Sequence, residues 1–491
     1  MNRIKIDLER TLGAIDRNIF GGFAEHLGRC IYGGIYEPSS PLAGKDGLRK
    51  DVMKALKRLR MPIIRYPGGN FASGYRWRDG VGPIEQRPAR TDLAWHDLET
   101  NRFGTNEFIN FCRQLKAEPY LAVNCGDGDI REARDWVEYC NGTGDSASVK
   151  LRHEHGYTKP YNVKFWGVGN EVDGQWQIGY KTPQEYARAF KEFSKVMKWA
   201  DPSIKLVASA VSHWEGEWIE RAQLLLEQAG DLIDYMSLHW YVGNPNNDFS
   251  SYMAISELIE ERLSAFEGIT RAVNLQKKNN RHIYLAVDEW NVWYRTHPQF
   301  GGEPKRTKLE EIYNLEDALA VGLQLNSFIR HAQTVKMANI AQIVNVIAPI
   351  FTKPDGLVLQ TIYYPFEIYS RLCGNIALDI WWEGDTFSGG GVSGIRTLDV
   401  SATLDETKKQ VTLYIVNRSL KESEAQIQLA TSRFNDKVAV YTINGPDIKA
   451  ENTFASPGKV VTSRKLLKTK GNTLDVSLEP HSIIALVGEM E

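Results

Sequence analysis

Eight times between residues 19 and 345, a short apolar run rich in β-branched and aromatic residues gives way to a longer stretch with helical spacing. The runs cover residues 19–25, 62–67, 119–124, 163–169, 205–210, 235–241, 282–288 and 337–345. Amphipathic stretches at 47–59, 105–116, 130–140, 183–200, 217–229, 255–278 and 311–331 lie between them, and 363–372 follows the last. The runs are apolar at both alternations, as parallel strands covered on two faces must be. Strand followed by helix, eight times over, predicts an α/β chain closed into a (β/α)8 TIM barrel. Pro183 behind Thr182 marks one helix start, with the threonine as cap and the proline in the first turn.

Past residue 376 the texture changes. Short strand-like runs at 411–416, 425–429, 438–443, 460–463, 474–478 and 482–487 are separated by turns, which reads as an all-β sandwich. Residues 3–8 alternate like a strand and are expected to join that sandwich. The expected division is a barrel over residues 16–375 and a β domain made of 1–15 plus 376–491. With 491 residues, 42% of them hydrophobic, the chain has material for both, since a barrel alone takes about 250 residues.

Bulk chemistry excludes several classes. Lys plus Arg number 59 against 61 Asp plus Glu, and a net charge of −2 leaves no footprint for nucleic acid or an anionic membrane. No apolar run approaches the roughly 18 residues that span a bilayer. The opening residues, Met1 to Asp7, lack the apolar stretch of a signal peptide. The five cysteines (Cys30, Cys112, Cys125, Cys140 and Cys373) are odd in number, scattered and without Cys-x-x-Cys, as free thiols of a cytoplasmic protein would be. His153-Glu154-His155 reads as a polar segment without the i, i+4 spacing of a helical metal motif. Gly21-Gly22 and Gly33-Gly34 lack the Lys-Ser/Thr of a phosphate loop. No metal and no cofactor are expected.

What remains is polar chemistry at the strand ends, where barrel enzymes keep their active sites. Glu25-His26 ends strand 1. Arg65 lies in strand 2, which runs into Pro67-Gly68-Gly69-Asn70. Asn124-Cys125-Gly126-Asp127 ends strand 3, and Asn170-Glu171 ends strand 4. Strand 6 carries His239-Trp240-Tyr241, strand 7 ends in Asp288-Glu289-Trp290-Asn291, and strand 8 carries Gln342 and Asn345. Glu171 and Glu289 stand on opposite sides of a small mouth, where two carboxylates can approach to about 5 Å, the spacing of a retaining glycosidase. One must stay protonated to serve the leaving oxygen, and the other ionised to attack. Arg65 is the cation, and Tyr241 the hydroxyl, suited to keeping the second one ionised. Asp288 is the rival nucleophile, but neighbours on a strand point to opposite faces, so only one is expected in the pocket. His239 reads either as a core histidine or as a contact of Glu171 and the substrate.

The segments Arg65-Tyr66-Pro67-Gly68-Gly69-Asn70-Phe71, Trp166-Gly167-Val168-Gly169-Asn170-Glu171 and Asp288-Glu289-Trp290-Asn291-Val292-Trp293-Tyr294 resemble the signatures of family 51 glycoside hydrolases, mostly α-L-arabinofuranosidases. Glu25-His26-Leu27-Gly28-Arg29 and Ala341-Gln342-Ile343-Val344-Asn345 extend the resemblance over nearly the whole chain. It implies a retaining exo-hydrolase acting on arabinose-containing oligosaccharides such as those of arabinan or arabinoxylan. Glu171 takes the acid/base role and Glu289 the nucleophile role. Glu25, Asn70, Asn170, Tyr241 and Gln342 hold sugar hydroxyls, and Trp95 and Trp293 wall the pocket. The resemblance also implies a homo-oligomer, often a hexamer. One departure is the segment Asn124-Cys125-Gly126-Asp127-Gly128-Asp129, which adds two carboxylates near the mouth. The alternatives are a β-glycanase or β-xylosidase on the same barrel, a sugar-binding protein without turnover, and a metal-dependent isomerase.

Overall fold

The computed structural model describes residues 2–303, 308–469 and 471–491. Eight strands close a barrel in strict chain order: Gly21–Phe23, Ile63–Tyr66, Glu118–Val123, Phe165–Val168, Lys205–Val211, Tyr235–Val242, Tyr284–Val292 and Val335–Ala341. Every neighbouring pair is parallel, and the last strand closes on the first through Asn339 opposite Gly21. Helices such as Lys50–Leu59, Thr105–Leu115, Pro183–Ala200 and Ile255–Lys277 cover the outside. Thr182 caps Pro183–Ala200 in a reciprocal pair with Glu185, which satisfies amides that a helix start leaves open.

Strand limits moved for local reasons. The first strand is shorter than the expected 19–25, because Asp16 accepts a bond from the Asn18 amide and winds Arg17–Phe20 into a 3-10 turn. The eighth stops at Ala341, so Gln342 and Asn345 stand in the loop beyond it, not on it. The seventh runs on to Val292, which puts Asp288 and Glu289 inside the strand. The polar segment around His153 is helical: Ala147–Glu154 is an α-helix that buries Ser148, Val149 and Arg152. There His155 Nδ1 meets the Tyr139 hydroxyl at 3.1 Å and His153 Nε2 lies 3.5 Å from Arg152.

A β-sandwich follows. One sheet has the order Thr11–Ala14, Ile376–Leu378, Leu398–Asp405, Gln410–Asn417, Ser482–Met490, Phe434–Asn444, Val461–Lys468. The other has the order Trp381–Glu383, Asn2–Ile6, Ser423–Leu429, Thr473–Leu478. Asn2–Ile6 thus joins the C-terminal strands, and its Ile4 and Ile6 enter their core with Val400, Leu413 and Ile427. Helix Leu315–Arg330 is buried through residue 329 because it lies between barrel and sandwich. Asn326 donates to Asp399 at 2.7 Å, and the Tyr369 and Tyr414 rings stack at 4.0 Å across the same seam. No helix among the described residues is long and apolar enough to cross a membrane.

Candidate active site

Arg65 is the centre of the barrel mouth. Its side chain, only 1% exposed, rises from the second strand over the Phe23 ring. Its Nη1 donates to Glu289 Oε2 at 3.1 Å and to the Asp288 carbonyl at 3.1 Å, and its Nη2 donates to Asn170 Oδ1. Its Nε lies 3.6 Å from Asp288 Oδ2. Burial works against the guanidinium charge, but Asp288, Tyr120, Glu289 and Glu171 outweigh that and keep it charged.

The fourth strand ends at Val168, and the chain then turns through Gly169 at φ 85° to Glu171 at φ 43°. A non-glycine residue in that region carries strain on the order of 1–3 kcal/mol, a recurrent feature of functional sites. The turn aims the Glu171 carboxylate across the mouth. His239 Nδ1 meets its Oε1 at 3.1 Å, and the Trp176 indole donates to its Oε2 at 2.7 Å. One ligand atom from each of Glu171, His239 and Glu289 lies within 4.8 Å of the others. On the far side the Tyr241 hydroxyl donates to Glu289 Oε1 at 2.8 Å. The two glutamate side chains are 13% and 10% exposed, nearly buried but open to the mouth.

Asp288 corrects the expectation that only one of two neighbours can face inward. Opposite strand 6, Ala286 pairs with Ser237 and Glu289 with His239, so strand 7 spends three residues where its partner spends two. Opposite strand 8 the same stretch shifts again between Val287 and Trp290. Such a bulge re-aims side chains, and both carboxylates reach the interior at different depths. Asp288 sits below Glu289, accepting from the Tyr120 hydroxyl at 2.7 Å and the Ser237 hydroxyl at 2.5 Å. It also lies 3.3 Å from His239 Nε2. Burial would raise its carboxyl, but Arg65, His239 and Ser237 hold it well below the usual range.

The charges of the cluster follow from these contacts. Burial pulls His239 down, but Glu289, Asp288 and Glu171 push it up to about 10, so the ring is a cation at neutral pH. Arg65 and His239 supply two positive charges and Asp288 one negative. Burial lifts Glu171, yet the His239 bond and charge, with Trp176 and Arg65, bring it below the usual range. Burial lifts Glu289, and the charge of Glu171 adds to that against His239 and Arg65, leaving it raised.

Glu25 closes the other side. Its Oε1 accepts from the Phe71 amide at 3.1 Å and the Trp95 indole at 3.0 Å, and its Oε2 from Gln342 at 3.0 Å. Burial first, then the charge of Glu289, push it up to about 8. A Cβ on Gly68 would stand 2.6 Å from Glu25 Cγ, so the backbone can pass the carboxylate only as glycine. Trp293 packs edge-to-face on Tyr241 with ring centres 5.1 Å apart. Of the expected residues, Asn70 and Trp293 make no side-chain hydrogen bond to this cluster among the described residues: the Trp293 indole donates to Thr296 at 2.9 Å, and the Asn70 carbonyl accepts from Gln177 at 3.5 Å.

The comparisons agree along the whole chain. A model described as an α-L-arabinofuranosidase 1 domain matches residues 55–257, and one described as an α-L-arabinofuranosidase C-terminal domain matches residues 288–482. The intracellular exo-α-(1→5)-L-arabinofuranosidase 1 of Bacillus subtilis is 40% identical over 98% of this chain and 97% of its own. The chain belongs to the family 51 α-L-arabinofuranosidases. Another family relative, α-L-arabinofuranosidase C of Emericella nidulans, is 41% identical over 91% of this chain and 90% of its own. The crystal structure of the Thermotoga maritima α-L-arabinofuranosidase in its arabinose complex superposes with a TM-score of 0.92. It is 39% identical and covers 99% of both chains.

In this family 51 member, sequence reasoning missed three parts of the site. Trp176 carried no signal beyond standing five residues after Glu171. Tyr120 and Ser237 lie inside strands whose interior faces read as plain core. The two extra carboxylates of the 124–129 segment are engaged locally. Asp127 accepts from Asn124 at 2.7 Å and pairs with Arg76 at 3.3 Å, while Asp129 caps helix Ile130–Asn141.

Proposed function

We propose that this family 51 arabinofuranosidase removes terminal α-L-arabinofuranosyl residues from arabinan- or arabinoxylan-type oligosaccharides by double displacement. The observation that carries the mechanism is the Glu171–Glu289 approach, with oxygens within 4.8 Å. Retaining pairs stand about 5–5.5 Å apart, whereas inverting pairs need roughly 6.5–9.5 Å for a water. The exo action is supported by the Bacillus subtilis relative, an exo-α-(1→5)-L-arabinofuranosidase. A β-glycanase or β-xylosidase reading is not favoured by relatives of this identity.

Glu289 attacks the anomeric carbon while Glu171 protonates the leaving oxygen; Glu171 then takes a proton from the water that releases the sugar. Arg65 and Tyr241 carry the charge of Glu289 and fix its orientation. Glu25, Asn70, Asn170 and Gln342 bind sugar hydroxyls, and Trp95 and Trp293 wall the ring. His239 holds Glu171 through the 3.1 Å contact with its Oε1. The resting directions run against these roles, with Glu289 raised and Glu171 lowered, so the bound sugar must reverse them. Positive charge developing on the sugar beside Glu289 drives that reversal, because it favours the ionised nucleophile.

The test is proton NMR of the first product released from p-nitrophenyl α-L-arabinofuranoside. α-Arabinofuranose is expected first; β-arabinofuranose, or no release, refutes the reading. A cytoplasmic location is supported by the word intracellular in relatives' names. Assembly as a homo-oligomer is supported by the family resemblance.

A further inference from the structure

A buried carboxylate outside the reacting pair bears on the pocket wall. Glu311 is 1% exposed and precedes helix Leu315–Arg330. Its Oε1 accepts from the amides of Tyr294 at 3.1 Å and Arg295 at 3.0 Å. Its Oε2 accepts from the Thr296 amide at 3.3 Å and the Thr296 hydroxyl at 3.0 Å. That hydroxyl in turn accepts the Trp293 indole N–H at 2.9 Å. Trp293 packs on Tyr241, and Tyr241 donates to Glu289. One side chain therefore gathers three successive amides after strand 7 and orients the indole that stands before them.

The Glu311 end of this chain is itself held. Gln360 donates to the Glu311 carbonyl at 3.0 Å and accepts from the Tyr313 amide at 3.0 Å. The Tyr313 hydroxyl donates to the Val292 carbonyl at 2.8 Å, tying the same segment to the end of strand 7. Arg295 faces the acid from its own turn, with Nη1 3.6 Å from Glu311 and 2.9 Å from Asp317. All four hydrogen-bonding partners of the carboxylate are donors, so the position needs a group that only accepts. An amide would turn an NH2 toward them and leave buried donors unmatched.

We propose that Glu311 is a positioning residue for substrate binding: it fixes the Trp293–Thr296 turn and thereby holds the Trp293 indole as the wall of the sugar pocket. The proposal rests on the arabinofuranosidase reading of the site. A wall that contacts the sugar equally before and during the reaction changes KM rather than kcat.

The experiment is a double-mutant cycle on the full chain with Glu311→Gln, Trp293→Ala and both together, assayed on p-nitrophenyl α-L-arabinofuranoside. Glu311→Gln is expected to raise KM roughly tenfold and to lower kcat less than about threefold. In the Trp293→Ala background it adds less than about twofold, because its effect runs through that indole. An equal loss in both backgrounds, or a kcat/KM within twofold of wild type, overturns the proposal. Should Glu311→Gln not fold, Thr296→Val cuts the same link, and the same non-additivity is required of it. An inactive wild-type chain refutes the functional reading instead, which separates the two failures.

Discussion

Removing the Tyr241 hydroxyl tests how Glu289 is kept ready to attack. The bond to Glu289 Oε1 is 2.8 Å long and belongs to a site closed to most water. Glu289 keeps Arg65 on its other oxygen, so Tyr241→Phe leaves the ion pair intact. The phenyl ring keeps its edge-to-face contact with Trp293, and no void larger than one oxygen opens. A hydrogen bond to a charged acceptor contributes about 1.5–3 kcal/mol, and each 1.36 kcal/mol is tenfold in rate. Tyr241→Phe should therefore lower kcat on p-nitrophenyl α-L-arabinofuranoside by roughly 10- to 150-fold with little change in KM. The sign of the pH effect is also fixed. Tyr241 lowers the pKa of Glu289, so its loss raises that pKa further. Glu289 must be ionised to attack, so the acid limb of the rate profile moves to higher pH. A fall of less than about threefold with an unmoved acid limb would refute this account of Tyr241.

Other perturbations probe the rest of the cluster. Asp288→Asn leaves Arg65 and His239 charged and short of a partner; urea unfolding should show a loss of about 3–5 kcal/mol. His239 is raised to about 10, so the stability it contributes is fully present below its unfolded value near 6.5 and lost as pH rises through about 10. Melting curves should fall over that window in wild type and fall less in Asp288→Asn. Gly68→Ala drives a methyl against Glu25 and should cut kcat/KM by about tenfold or more while the circular dichroism spectrum stays native. Dialysis against EDTA should leave turnover unchanged; a loss restored by a divalent ion would revive the isomerase alternative.

The barrel was legible because its strands are apolar on both alternations, a pattern that survives without knowledge of their neighbours. Glu171 was legible because it stands past the end of such a run. The bulge in strand 7 was not, since it depends on pairing with strands 6 and 8 rather than on the residues of strand 7. Without it, alternation assigned Asp288 to the outside, and its place beneath Arg65 and His239 was missed. Helix Ala147–Glu154 escaped because it buries a serine and an arginine beside one valine, which leaves no apolar stripe to read. Glu311 escaped for a similar reason: its partners are backbone amides, which leave no trace in residue types.

The division of labour between the two glutamates is tested most directly by locating the sugar on the protein. In Glu171→Ala, an aryl arabinofuranoside with a good leaving group still reacts with the nucleophile, but the second step lacks its base and the glycosyl-enzyme accumulates. Trypsin releases residues 282–295, which carry both Asp288 and Glu289. Fragmentation mass spectrometry of that peptide is predicted to place a pentosyl group on Glu289. A pentosyl group on Asp288, or an unmodified peptide with an inverted product, would contradict the account.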